Sequence, residues 1–209
     1  EDLAVVVADS TWAAMMWADV LKLVTSGGHK DLSDESIFRQ FRSDLSKSGV
    51  TAAQVGDSSK AIAKANKVLE LEYEMPMQAH ATMEPLCATA SVNPDECNIW
   101  APVQNQDAVI GVAKAVTNLS SEKIRINTTF LGGGFGRKFE VDFLVAPLVA
   151  SKVMGKPVKV IWKREEDTRN DFFRPPTLAK MRIGLDSSGL PVAWESKLVS
   201  PSLKLHLVK

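Results

Sequence analysis

Four glycines fall within five positions, at Gly132, Gly133, Gly134 and Gly136, with Phe135 before the last and Arg137 and Lys138 directly after it. Glycine is unfavourable in a regular element by about 0.5–1 kcal/mol relative to alanine, so such a run suits a backbone that bends sharply or meets something closely. Residues 122–130 before it read as a strand, and residues 140–154 after it read as a buried helix. A glycine loop leading from strand into helix exposes amide N–H groups where a phosphate or carboxylate is favoured. Arg137 and Lys138 add positive charge beside it. The run is not a P-loop, because no Gly-Lys-Ser/Thr follows at the required spacing. Nor is it the G-x-G-x-x-G fingerprint, because Arg137 stands where the third glycine belongs. A structural glycine turn is the plain alternative.

Other residues able to do chemistry are fewer. His80 and Glu84 lie four apart, with Pro85 next, between two strands. They are either a base or metal ligand, or a hydrogen-bonded pair that fixes a turn. Glu70, Glu72 and Glu74 alternate with Leu69, Leu71, Tyr73 and Met75 over 67–75, the pattern of a half-buried strand with its charges in water. Cys87 and Cys97 are too few for a disulfide framework or a Cys-rich metal or iron–sulfur centre, and read as small packed residues. His29 sits in a loop and is given no role. Residues 163–174 carry many charges of both signs and read as a solvated surface loop.

The elements that must position these residues can be read in outline. Residues 1–8 form an apolar strand, and Asp9-Ser10 cap a helix over 11–23. Ser33 or Asp34 caps an amphipathic helix over 35–45, with Ile37, Phe38, Phe41 and Leu45 on one face. Residues 46–59 are polar and contain glycine, and read as a linker or surface loop. Residues 91–96 make a turn before a short strand over 97–101. Gln104 opens a helix over 104–118, residues 158–162 form a buried strand, and 178–185 and 190–199 form a hairpin over 186–189. Strands and helices interleave, yet 67–101 and 178–199 read as antiparallel. The fold class expected is therefore α+β, a two-layer mixed sheet with helices on one face.

The 209 residues are 45% hydrophobic and 24% charged, enough for a sizeable core. Lys plus Arg and Asp plus Glu both number 25, which argues against a nucleic-acid binder held by bulk charge and makes any anion site local. No apolar run approaches the roughly 18 residues of a membrane-spanning helix. The chain opens on Glu1 rather than Met, so the compartment, periplasmic or cytoplasmic, stays open.

The run from Gly132 to Lys138 resembles the pterin-contacting loop in the molybdenum-binding subunit of the xanthine dehydrogenase and aldehyde oxidase family. The order around it agrees: Trp100-Ala101-Pro102-Val103-Gln104, a helix, then Lys123-Ile124-Arg125-Ile126, then the glycines. His80 through Pro85 and Trp162 through Asp167 fit as well, and the wording is most similar to the isoquinoline 1-oxidoreductase beta-subunit branch. The resemblance covers nearly the whole chain, most strongly 72–200. It implies that residues 1–50 end a preceding α/β domain with a linker helix, and that 51–209 are the first molybdopterin-binding domain.

The resemblance also implies a cofactor and roles. Gly132, Gly133, Gly134, Phe135, Gly136 and Arg137 would contact molybdenum–molybdopterin, in its plain or cytosine dinucleotide form. Gln104, 31 residues before Phe135, would hydrogen-bond an oxygen ligand of the metal; an amide suits that task because it donates without titrating. Arg174 would stabilise negative charge near the substrate. His80 and Glu84 would support the site from behind. The implied activity is hydroxylation of an aldehyde or N-heteroaromatic compound with oxygen from water, electrons leaving through iron–sulfur clusters of a partner subunit. Val103 stands where the family carries Thr. Phe139 stands where purine-oxidising members carry Glu, which points away from purines. The family's catalytic Glu, in a Gly-Val-Gly-Glu segment, has no counterpart after Ser200, so the chain is expected to need the remaining half of the pterin-binding region for turnover. The alternative is a non-catalytic fragment or assembly domain that keeps the fold.

Overall fold

In the computed structural model, residues 4–24 and 26–203 are described. Along the chain the elements are α1 (Thr11–Val20), α2 (Asp34–Leu45), α3 (Ser58–Ala63), β1 (Lys67–Met75), β2 (Cys87–Val92), β3 (Cys97–Ala101), α4 (Gln106–Thr117), β4 (Ile124–Thr128), α5 (Val145–Met154), β5 (Val158–Ile161), α6 (Arg164–Arg169), β6 (Thr177–Leu185) and β7 (Pro191–Val199). They form two compact units, each with its own sheet. The class is α+β, as the sequence indicates.

One unit is built on Ala79–Phe172 with the N-terminal segment. Its sheet has the order β4-β3-β2-β5, antiparallel except for the parallel pair β3 and β4, which α4 connects. Alternation on β2 sends Ala88, Ala90 and Val92 to the core, while Cys87, Thr89 and Ser91 stay half-exposed. Small side chains on β2 let α5 approach closely. Ile99, Val109, Ala113, Phe143, Leu144 and Leu148 complete a core from which water is almost wholly excluded. Each large member is worth about 1.5–3 kcal/mol of burial. Ser151 sits inside this core without an orphaned hydroxyl: it accepts from Val92 N–H at 2.9 Å and donates to Lys156 C=O at 2.8 Å. Pro147 falls in the first turn of α5, where a missing N–H costs no helical bond.

The other unit runs through Ser26–Gln78 and from Phe173 on, with the antiparallel sheet β1-β6-β7. α2 and α3 pack on it and bury Phe38 and Ile62, the latter beside Gly184 of β6. The β6–β7 turn is tied by Asp186, whose Oδ1 accepts from Ser188 and Leu190 amides at 2.8 and 3.0 Å.

Several expectations are corrected. Residues 4–8 form no strand, and 1–3 lie outside the described residues. α1 ends at Val20, and none of its residues is buried. β2 runs on through Ser91 and Val92, which the sequence suggested were turn, because its alternation of small residues and threonine is weak as a period-2 signal. The following turn accordingly starts at Asn93. The glutamates of β1 face water but are paired: Glu72 and Glu74 with Arg42, and Glu70 with Arg182. The segment 163–174 is not a free loop; it contains α6 and carries two carboxylates into the interior.

A glycine loop clasped by Gln104, Glu84 and His80

After β4 the chain turns through the glycines in backbone conformations that L side chains rarely adopt. φ is +62° at Gly132, +93° at Gly133 and +105° at Gly136. Phe135 also has positive φ, at +53°, and the residue is 59% exposed. A non-glycine residue held there costs on the order of 1–3 kcal/mol, and such strain collects at functional sites. The loop's carbonyls are occupied from within: Gly132 accepts from Glu84 N–H, Gly134 from Arg137 N–H and Gly136 from Phe139 N–H, at 3.0, 2.8 and 3.1 Å. The amides of Gly133 to Gly136 have no acceptor among the described residues. Gly136 and Phe135 of this stretch are exposed, whereas Gly134 is buried.

Three side chains that sequence reasoning singled out converge here. Gln104 precedes α4 rather than opening it, because Asn105 takes the N-cap, its Oδ1 accepting from Ala108 N–H. Gln104 N–H donates to Lys138 C=O at 2.9 Å, and its carboxamide lies on Gly134: a Cβ built there would stand 2.5 Å from Oε1. Glu84 leaves no room at Gly132, where a Cβ would stand 2.5 Å from its Oε2. His80 Nε2 lies 3.6 Å from a Cβ built on Gly136. Three named residues thus approach three of the glycines closely. Arg174 belongs to the second unit, where it is exposed and its backbone pairs with that of Gln78.

The cations after the loop do not line it. Arg137 and Lys138 are among the most deeply buried side chains of the chain, 1% and 0% exposed. Arg137 forms a bidentate pair with Asp142, Nη1 to Oδ1 at 2.8 Å and Nη2 to Oδ2 at 2.9 Å. Its Nε lies 3.1 Å from Asp171 Oδ1, an ion-pair approach whose N–H direction makes no hydrogen bond. The guanidinium also sits over Phe172 and Trp162, 4.9 and 6.0 Å from the ring centres. Lys138 Nζ donates to Leu131 C=O and to Glu84 Oε2, the latter at 3.3 Å. The expected positive charge beside the loop is neutralised internally, since two buried cations require carboxylate partners.

Asp171 is the residue that sequence reasoning missed. Its side chain is 2% exposed, and it accepts from both the backbone N–H and the ring of His80, Oδ1 to Nδ1 at 2.9 Å. The signal for it was present: Phe172 and Phe173 follow directly, two aromatics in an otherwise charged run. Nearby, burial raises the Asp167 carboxyl, with Arg164 and Arg137 opposing. Burial also raises the Cys87 thiol, and the Glu84 carboxylate adds to that.

Among the described residues, no three His, Cys, Asp or Glu side chains converge as metal ligands. Loop amides without an acceptor among the described residues, an exposed aromatic and one carboxamide suit an organic ligand with hydrogen-bond acceptors.

Comparison with known proteins places this arrangement. A family model described as the molybdopterin cofactor-binding domain matches residues 41–202. The membrane-bound aldehyde dehydrogenase (pyrroloquinoline-quinone) of Gluconacetobacter polyoxogenes is 29% identical over 88% of this chain and 24% of its own length. The aldehyde oxidoreductase molybdenum-binding subunit of Escherichia coli K12 is 34% identical over 65% of this chain and 19% of its own. The isoquinoline 1-oxidoreductase subunit beta of Brevundimonas diminuta is 30% identical over 52% and 14%. The chain thus spans a quarter or less of the length of these relatives. In structure, the aldehyde oxidoreductase of Desulfovibrio gigas shares the fold at TM-score 0.57 and 23% identity, over 69% of this chain and 16% of its own.

Proposed function

The chain belongs to the molybdopterin cofactor-binding domain family, and from that premise we propose that it forms one wall of a molybdenum site that hydroxylates an aldehyde or N-heteroaromatic substrate. The observation that carries the reading is the contact of the Gln104 carboxamide with Gly134, which joins two parts of the chain 30 residues apart at the glycine loop. When bound, the molybdenum cofactor supplies the two-electron oxidation of the substrate carbon, with water as the source of oxygen and the electrons leaving to iron–sulfur clusters of a partner subunit.

The chain's own residues bind and orient. The amides of Gly133 to Gly136 donate to the cofactor, and Phe135, held outward by its strained backbone, limits one side of the space. The Gln104 amide donates without changing charge, so it serves at any pH at which the protein folds. Arg174, exposed, is assigned to developing negative charge on the substrate. The carboxylates of the loop cluster are already engaged: Glu84 with Lys138, and Asp142 and Asp171 with Arg137. A general base must therefore come from outside this cluster, and we assign it to the rest of the pterin-binding region. We further assign residues 1–50 to the end of a preceding domain; the family match, which begins at residue 41, supports a boundary in that neighbourhood.

The substrate class is tested with the assembled enzyme in oxygen-18 water, offering an aromatic aldehyde and an N-heteroaromatic compound separately. Label entering the product of either from water is expected. Turnover with label entering only from dioxygen, or no turnover of either by enzyme loaded with cofactor, would contradict the proposal.

A further inference from the structure

Arg137 and Lys138 are neutralised inside, which leaves His80 as the ring that approaches the loop from the protein side. Its Nδ1 lies 2.9 Å from Asp171 Oδ1, and its backbone N–H donates to Asp171 Oδ2. Arg137 stands 3.1 Å from the same carboxylate. Where the Asp171 carboxylate accepts from Nδ1–H, the imidazole tautomer that this bond selects has its lone pair on Nε2. Nε2 is on the loop side, 3.6 Å from a Cβ built on Gly136. No group among the described residues hydrogen-bonds it.

We propose that His80 is a cofactor-contacting residue whose Nε2 accepts a hydrogen bond from an N–H or O–H of the group held at the loop. Asp171 and Arg137 act as positioning residues that fix its tautomer and direction. The amides of the exposed Phe135 and Gly136, which have no acceptor among the described residues, accommodate acceptors of the ligand, and His80 adds an acceptor on the protein side, so a heterocycle bearing both kinds of group is read in both senses. This rests on the reading that the loop holds molybdopterin.

Two substitutions separate the two ring nitrogens. His80→Asn keeps an amide N–H near the Nδ1 position, able to donate to Asp171, and removes Nε2. His80→Gln reaches the Nε2 position and gives up the bond to Asp171. The measurement is molybdenum and pterin content of the purified full-length protein after gel filtration, alongside the melting temperature of the cofactor-free form. His80→Asn is expected to melt like wild type and to retain roughly five- to ten-fold less cofactor, about the worth of one hydrogen bond. His80→Gln is expected to retain more cofactor than His80→Asn even though it melts lower. A purely structural role predicts the reverse order, with His80→Asn loaded like wild type, and that result overturns the proposal while leaving the loop's assignment intact. Wild-type protein that carries no pterin overturns the loop's assignment itself, and this inference with it.

Discussion

The carboxamide of Gln104 rests on Gly134 so closely that a Cβ on that glycine would lie 2.5 Å from Oε1 and 2.8 Å from Cδ. The neighbour in the way is mostly the far end of a flexible side chain, which can swing aside. Gly134→Ala is therefore expected to cost little stability, within about 1 kcal/mol, while displacing the carboxamide. Cofactor content should fall several-fold with an almost unchanged melting curve. Parallel loss of both would mean that Gly134 matters only for packing.

Gly132 and Gly136 should behave differently, because both have positive φ. Gly136→Ala adds backbone strain next to His80 and is expected to destabilise by on the order of 1–3 kcal/mol in urea unfolding. A neutral result would mean that the turn relaxes without it.

Arg137→Met leaves Asp171, with its side chain 2% exposed, without its cation. Breaking a buried pair by removing one partner costs about 3–5 kcal/mol. The urea midpoint should drop accordingly, and Arg137→Lys should not restore it, because an ammonium cannot reproduce the fork on Asp142 or the stacking over Phe172. By contrast, loss of the exposed Arg39–Glu35 pair on α2 should leave the midpoint where it is.

Burial pushes the Cys97 thiol up from an ordinary 9.0 to about 11. Above pH 9 the unfolded chain has released this proton while the folded chain keeps it, so the folded state binds more protons and stability falls as pH rises through 9 to 11. Cys97→Ala should flatten that alkaline slope. In the folded protein Cys97 should resist alkylating reagents at about pH 8 and react only on unfolding; rapid labelling under native conditions would contradict its burial.

Strongly periodic or strongly capped elements were legible in the sequence. β1 has the span read for it, Lys67–Met75, although only Leu69 and Leu71 of its apolar face are half-buried while Tyr73 and Met75 are exposed, and Ser33 caps α2 with the reciprocal bond from Ser36. The Asp186–Gly189 turn and its hairpin were equally plain. Elements whose identity depends on tertiary partners were not legible: β2 is made of small residues, and α6 is short and charged. The loop itself was recognised from composition, because neither a helix nor a strand keeps its stability with four glycines in five positions. What remained hidden was the fate of its cations. Sequence places charge at Arg137 and Lys138, but only the fold shows which carboxylates meet it, and Asp171 lies 34 residues beyond Arg137.

Whether this loop holds molybdopterin in an assembled enzyme is tested most directly by native mass spectrometry of the protein, purified gently from its source with its partners. The expected result is a species well above the 22.8 kDa of this chain, carrying the mass of a molybdenum pterin and a second, iron–sulfur-bearing subunit. A folded protein that is free of pterin and of partner would contradict the assignment and would make the glycine loop a feature of the fold alone.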